Sequence, residues 1–358
     1  MKTIIKWPGG KSREIEKIRN LIPDFDRYIE PFFGGGAVYF SLEPSNAYIN
    51  DISSMLMTFY KLVKEQDEDF KKYIMVYDMT FQSLLNSTEK NYNEIYLCYK
   101  NNGDIANLVN TIISGSVLDH SLIYDKKRYT YFINKMVNDK FTRTKKNQEK
   151  KPFSEEDLKE NLKTGFASGY YMYFRDVYNK LASKTIIMDT PYKIANFYFI
   201  REYCYGSMFR YNSKGEFNIP YGGITYNNKN FSAKIDNLFN NNIDNLFKGT
   251  SIHTQDFEPF LDSLGLTEKD FIFLDPPYDT EFSDYEGRAF TKDDQYRLAN
   301  VLKRVKAKFI LIIKNTDFIY NLYENNFRIL SFDKNYTYNV RSRNERNTEH
   351  LIITNIPG

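Results

Sequence analysis

Cysteine is nearly absent: the 358 residues hold two, Cys98 and Cys204. A disulfide-stapled scaffold is thereby excluded, and the count suits a reducing cytoplasm. Histidine is scarce too, at three residues, which leaves little material for a zinc site. Long apolar runs are missing. The longest aliphatic stretch, Phe309 to Ile313, falls far short of the roughly 20 residues a membrane span requires. Met1 to Gly10 lacks the apolar core of a secretory signal. Together these absences predict a soluble, cytoplasmic protein without membrane association. An excess of one charge is also lacking. Lys and Arg number 49 against 46 Asp and Glu, so the net charge is +3, too balanced to identify a nucleic-acid partner. Aromatic residues are abundant instead: 30 Tyr and 29 Phe beside a single Trp. With 42% hydrophobic and 27% charged residues the composition is that of a folded chain. At about 150 residues per domain, the length suggests two domains.

Short β-rich runs gather at both ends of the chain. The first group is Thr3 to Trp7, Arg27 to Glu30 and Ala47 to Asn50. The second is Ser251 to Thr254, Phe271 to Leu274, Phe309 to Ile313, Arg328 to Phe332 and His350 to Thr354. Runs that are apolar throughout suit parallel strands buried on both faces. Helix-like stretches alternate with them at Lys11 to Asn20, Gly36 to Glu43 and Lys292 to Lys306. In the last, Thr291 or Asp293 offers a cap, and Tyr296, Leu298, Ala299, Leu302 and Val305 an apolar face. The alternation predicts an α/β fold. Residues from about 55 to 250 are richer in Asn, Lys and Tyr, with helical spacing in places such as Leu56, Phe59, Tyr60 and Val63. The expected organisation is an α/β domain in two parts, 1–54 and 250–358, split by a mostly helical insertion, 55–249. Within the insertion, Asp125 to Lys151 holds ten basic and three acidic residues, a charge of +7. A solvated loop explains such runs more often than a binding site does. The interleaved Tyr129, Tyr131, Phe132 and Phe141 bring nucleic-acid contact level with that reading. The Asn-rich patch Asn237 to Asn245 reads as a loop.

Residues 30–36, EPFFGGG, follow one candidate strand and precede a candidate helix. Glycines there let the backbone turn sharply and approach a ligand. A plain tight turn explains this motif equally well. Asp51 ends the next strand, where a carboxylate can accept hydrogen bonds from the two hydroxyls of an adenosine ribose. Alone, Asp51 could equally cap a helix in Asp-Ile-Ser-Ser. Asp275-Pro276-Pro277-Tyr278 closes the apolar strand FIFL. Two prolines stop the helix or ladder and leave a rigid protrusion at the carboxyl edge of the sheet. It presents a carboxylate, a free carbonyl and a ring, which can hold both hydrogens of an exocyclic amino group while the ring stacks on its base.

EPFFGGG, a long insertion and then DPPY resemble the Dam-type DNA adenine-N6 methyltransferases, the D12 class with the alpha order of motifs. Lys6-Trp7-Pro8-Gly9-Gly10-Lys11 is similar to the family's KWxGGK segment. Arg210 to Gly222, RYNSKGEFNIPYG, is similar to its RYNxxGEFNxPFG stretch, and Tyr173-Phe174-Arg175 through Asn179 resembles another family helix. Matching blocks run from residue 2 to the C-terminal HLIITN. Extra length lies at roughly residues 80–167, where no family motif is found.

The resemblance implies a Rossmann-like methyltransferase sheet with helices on both faces, and S-adenosylmethionine as methyl donor without a metal. Carried over by position, Trp7, Lys11, Phe32, Gly34, Gly36, Asp51, Asp256, Phe257 and Asp275 would contact that donor. Asp275, Pro276, Pro277 and Tyr278 would carry the chemistry on an adenine flipped out of duplex DNA. Lys6, Arg210, Asn212, Lys214 and Tyr221 would face double-stranded DNA. For Lys214 a solvated turn is an equal alternative, and for Asn218 and Pro220 hairpin geometry is favoured. Arg341, Arg343 and Arg346 add a basic segment near the C-terminus, which Glu345 and Glu349 could equally neutralise. A monomer is the default, with a dimer on DNA the alternative. Methylation of cytosine N4, of RNA or of a protein amide, and a non-catalytic DNA-binding module, are the competing readings. A nucleotide-dependent oxidoreductase leaves DPPY unexplained.

Overall fold

The apolar runs at the two ends of the chain come together as one sheet. The computed structural model describes residues 1–8, 15–208, 210–277, 290–335 and 347–357. Strands β1 (Arg27–Glu30), β2 (Ala47–Asn50), β3 (Thr250–His253), β4 (Asp270–Leu274) and β5 (Lys308–Lys314) are mutually parallel. β6 (Arg328–Asn335) and β7 (Asn347–Thr354) complete the order β3-β2-β1-β4-β5-β7-β6, with β7 antiparallel to both its neighbours. Every residue of β4 and the central five of β5 are buried, as strands covered on both faces must be. The α/β expectation therefore holds.

The two faces of the sheet use different packing. On one, Ile29, Ile272, Leu274, Leu311 and Ile313 meet Phe260 and Leu261 of helix Phe257–Ser263 and Leu298 and Leu302 of helix Lys292–Arg304. On the other, Tyr28 and Phe271 lead into an aromatic cluster of Phe33, Tyr39, Phe40, Tyr60 and Phe247. Each such side chain contributes about 1.5–3 kcal/mol on full burial. Tyrosine serves here because its hydroxyl finds a partner: Tyr39 with Thr250 Oγ1 at 2.6 Å, and Tyr60 with the Gly34 carbonyl at 3.0 Å. Helix Lys292–Arg304 starts in a capping box between Thr291 and Asp294, which selects Thr291 over Asp293 as its cap. Tyr296, expected on the apolar face, is half exposed and rests edge-on against Phe318.

The chain forms two compact units. The first comprises Met1–Thr3, Gly9–Lys64 and Asn241–Gly358, and the second Ile4–Pro8 and Glu65–Asn240. Helices Ser54–Lys64 and Asn241–Lys248 thus accompany the sheet, although the sequence boundaries were drawn at 54/55 and 249/250. Tyr60 and Phe247 explain why: both belong to the aromatic cluster beneath it.

The second unit is helical. Its core is again aromatic, with Tyr77 stacked on Phe199 at 4.9 Å and edge-on to Phe174 at 4.6 Å. Helices Lys126–Lys150 and Glu155–Ala182 run close together because glycines stand at the contact. A Cβ on Gly169 would lie 2.5 Å from the Ile133 Cα, and one on Gly165 3.1 Å from the Val137 Cα. Among the described residues, no helix is long and apolar enough to cross a membrane.

Three local expectations are overturned. Thr3 to Trp7 is not a strand. Its backbone is instead held by side chains, the Tyr198 hydroxyl donating to the Ile4 carbonyl and the Arg201 guanidinium to the Lys6 carbonyl. Asp125 to Lys151 is no loop. Asp125 caps one 25-residue helix whose buried side is Tyr129, Ile133, Val137, Phe141 and Thr144, a helical period hidden by the charge. Tyr129 and Phe141 are therefore core residues, and Tyr131 is the exposed aromatic. Asn237 to Asn245 is largely helical, because Leu238, Ile243 and neighbouring apolar residues bury one side of two short helices.

Candidate active site

Sheet order reverses about β1, which has β2 on one side and β4 on the other. Open α/β sheets bind ligands in the crevice outside the carboxyl ends of strands at such a point. The Gly-rich turn leaves β1 there, Asp51 leaves β2 and Asp275 leaves β4.

Gly34 and Gly36 have φ of 49° and 64°, the left-handed region that a side chain disfavours. At Gly36 a Cβ would also come within 2.5 Å of the Phe33 ring. That ring is wedged against Tyr60 and Tyr39 and has little room to yield. The turn is pinned from β2. Asp51 Oδ2 accepts the Gly34 amide at 2.9 Å and Oδ1 accepts the Ser53 amide at 2.9 Å. Burial pushes the Asp51 carboxyl up, while the amides of Ser53, Gly34 and Ile52 oppose the rise. Each oxygen keeps a further lone pair for a ligand hydroxyl. Asp51 is therefore more than the helix cap its local sequence allows.

Phe32 and Phe257, expected to share one ligand, are in contact at 5.3 Å, and Phe290 closes on both. Asp256 is committed to structure. It caps helix Phe257–Ser263 through the Glu258 amide and pairs with Arg297 at 2.6 Å. The Arg297 guanidinium in turn covers the Phe257 ring. Asp275 and Pro277 are half-buried and Pro276 is buried. Lys11, Tyr278, Arg341, Arg343 and Arg346 lie outside the described residues.

Two residues of this site escaped the sequence reading. Asn50, buried at the end of β2, donates to the carbonyls of Pro31 and Gln255 and accepts the Gln255 amide. It ties the turn after β1 to the turn after β3. Glu30, the first residue of EPFFGGG, is 2% exposed and accepts the Tyr28 hydroxyl at 2.7 Å. Burial raises its carboxyl well above the usual range, and the charges of Asp275 and Asp51 raise it further. A neutral Glu30 lets three carboxyl groups share one crevice. The folded protein therefore keeps a proton that the unfolded chain loses above about pH 5. Stability from this group is full below that pH and falls by about 1.4 kcal/mol per unit until the folded carboxyl titrates. Glu30→Gln should remove this slope. Its melting temperature should match or exceed the parent's at pH 8, with the advantage shrinking toward pH 5. A difference that is constant across that range would mean Glu30 is ionised in the fold.

In the second unit, residues 204–208 and 210–221 form a hairpin with bridges at Cys204–Tyr221 and Tyr211–Phe217. Helix Glu155–Ala182 carries it. Asn179 exchanges two hydrogen bonds with the Phe217 backbone, and Arg175 donates to the carbonyls of Asn218 and Ile219. Asn212 organises the tip by accepting the amides of Lys214 and Glu216. Arg210 and Lys214 are exposed. Tyr221 is not available at the surface. It is 7% exposed, and its hydroxyl donates to buried Asn227. Lys6 and Trp7 stand at the start of the same unit, the Lys6 amine over the Tyr226 ring and the Trp7 ring over Arg201 at 4.3 Å.

Residues 7–160 and 114–338 match the D12 class N6 adenine-specific DNA methyltransferase family. The type II methyltransferase M.CviBI of Paramecium bursaria Chlorella virus NC1A is 27% identical over 99% of this chain and 100% of its own length. The type II methyltransferase M.MjaIII of Methanocaldococcus jannaschii is 28% identical over 90% of this chain and 88% of its own. The DNA adenine methylase of Vibrio cholerae serotype O1 is 23% identical over 88% and 82%. With the family match spanning both parts of the sheet and the helical unit between them, the chain belongs to the D12 class of N6 adenine-specific DNA methyltransferases.

Proposed function

We propose that this chain methylates the N6 amino group of an adenine flipped out of a short sequence in double-stranded DNA, acting as a monomer. The observation that carries the reading is the convergence of the Gly34–Gly36 turn, Asp51 and Asp275-Pro276 at the carboxyl ends of β1, β2 and β4. A turn that excludes a Cβ, a carboxylate with spare lone pairs and the Phe32–Phe257 pair fit a nucleoside ligand. When bound, S-adenosylmethionine supplies a methyl group on a sulfonium sulfur, a leaving group good enough to need no metal. In this reading Asp51 accepts from its ribose, and Phe32 and Phe257 line its base. Lys11 and Trp7 join them on the motif match alone.

The adenine amino nitrogen is a weak nucleophile because its lone pair is delocalised into the ring. Asp275 and the Pro276 carbonyl accept its two hydrogens and so concentrate that pair on nitrogen. These two acceptors would thereby orient the nitrogen toward the methyl group that a bound donor would supply. The proton leaves once nitrogen has become cationic, so Asp275 needs no raised basicity. Orientation supplies much of the acceleration, since well-placed reactants recover about 7–11 kcal/mol. A stacked, paired base is out of reach, which requires flipping. Arg210, Asn212 and Lys214 on the hairpin, with Lys6, are the proposed readers of the flanking sequence.

Expression in a host without adenine methylation, with modified bases mapped across the genome, tests the reading. N6-methyladenine in one short motif is expected. Modified cytosine N4, or modified RNA with unmodified DNA, would transfer the same site to another amino group.

A further inference from the structure

The long helix Lys126–Lys150 lies within the extra segment for which the family motifs give no role. Between Lys126 and Lys146 it carries eight basic residues and one acid, Asp139. Two of the eight are committed: Arg128 makes a forked pair with Asp176, and Lys145 donates to the Asn102 side chain and lies over the Tyr99 ring. No carboxylate pairs with Lys127, Lys135 or Lys146 among the described residues. The neighbouring helix Glu155–Ala182 behaves differently, joining Lys159 and Lys163 to Glu89 and Glu160. A solubilising surface mixes both signs in that way. Like charges at helical spacing cost a few tenths of a kcal/mol per pair, so an unbalanced run is kept against a stability penalty. Lys140 shows the strain, its amine lowered by burial and by Arg143.

The charges are arranged on one side. At 100° per residue, Lys127, Tyr131, Lys135 and Lys146 fall within about 100° of one another. All four are exposed, Tyr131 at 54%. Their N-terminal end borders an open cleft of about 510 Å³, where Phe132 supplies an apolar floor and Asp125 the one carboxylate. Glu149 is the acid at the far end of the helix. From Lys127 to Lys146 the helix rises about 28 Å, which matches about 8 base pairs of duplex. Helix Glu155–Ala182, which holds the hairpin through Arg175 and Asn179, also holds this helix through Asp176.

We propose that the stripe Lys127, Tyr131, Lys135 and Lys146 binds the phosphate backbone of duplex DNA beyond the methylated sequence. The proposal rests on DNA being the substrate. The stripe supplies grip without sequence information, as phosphate contacts do. A family core that reads a short site thereby gains affinity for the flanking duplex.

The test uses the full chain with Lys127→Ala, Lys135→Ala and Lys146→Ala combined, and a matched triple Lys→Arg variant. Binding is measured against salt on duplexes of about 12 and 40 base pairs centred on the mapped site, a span chosen to bracket the helix length. On the long duplex the Ala variant should lose about 2–3 from the slope of log K against log salt. On the short duplex its binding and methylation should equal the parent's, and the Arg variant should restore the long-duplex slope. Unchanged slopes on the long duplex would overturn the proposal, as would equal losses on both lengths. A parent that shows the length-dependent slope yet methylates neither duplex would retain the surface and sink the catalytic reading instead.

Discussion

Asp275→Ala is expected to lower the rate of methyl transfer at saturating donor by about a hundred- to a thousandfold, the range typical of removing one preorganised hydrogen-bonding group from a reacting centre. The loss should fall on turnover rather than on binding. Asp275 stands at the end of β4, where Asp270–Leu274 is buried throughout and held by β1 and β5 on either side. The strand therefore keeps its place when the side chain is cut back, and the Pro276 carbonyl remains as the second acceptor. Asp275→Asn retains one oxygen of the same shape and should be impaired less than alanine. Single-turnover methylation of a duplex, alongside donor binding measured directly, separates these effects. Near-normal turnover in the alanine variant would remove Asp275 from the chemistry. An equal loss of donor affinity would instead make it a binding residue.

The crevice also explains why three carboxyl groups stand close together. In the proposed reading Asp51 and Asp275 are the acceptors toward ligands. A third charge at Glu30 would repel both, and burial raises its carboxyl well above the usual range, outweighing the Tyr28 hydroxyl bond that opposes the rise.

Much of this was legible in the residues. The strands could be read because parallel strands buried on both faces are written as unbroken apolar runs, as in FIFL and FILII. The Gly turn and DPPY could be read because each breaks the backbone at a fixed point after such a run. Other features are invisible to pattern. Ile4 and Ile5 look like a strand, yet the carbonyls of Ile4 and Lys6 are served by side chains nearly two hundred residues away. Tyr221 sits inside a matching motif, but whether its ring faces solvent or core depends on how Asn227 and Tyr203 fold against it. Charge density at residues 125–151 masked a helical period that only five buried positions carry. Glu30 was hidden in plain view, because its role depends on two carboxylates from other strands.

Glu202→Ala should be the most destabilising single change in the helical unit, at about 3–5 kcal/mol, because it leaves a buried cation without its counter-charge. Glu202 is 0% exposed in the last turn of helix Thr190–Tyr203, and its Oε2 receives both Lys229 and Lys234. Burial pushes the carboxyl up, but the two lysines hold it below its usual range. Lys229 is lowered to about 8, since burial outweighs a carboxylate shared with Lys234, and Lys6 adds repulsion. A base lowered in the fold binds fewer protons than in the unfolded chain, so its contribution to stability improves as pH rises past about 8. Without Glu202 the amine should lose its proton at lower pH. The cost of the substitution should then be largest near pH 6.5 and smaller at pH 9. In a unit of this size it corresponds to a fall of roughly 6–20 °C in melting temperature. The double variant Glu202→Leu with Lys229→Met removes both charges and should recover most of the loss. If the double variant is as unstable as the single one, the damage comes from packing rather than from a stranded charge. The distinction bears on the site, because Lys229 also lies over the Tyr226 ring that supports Lys6. A stranded ammonium there would disturb the segment Lys6-Trp7, and the double variant should restore DNA binding together with stability.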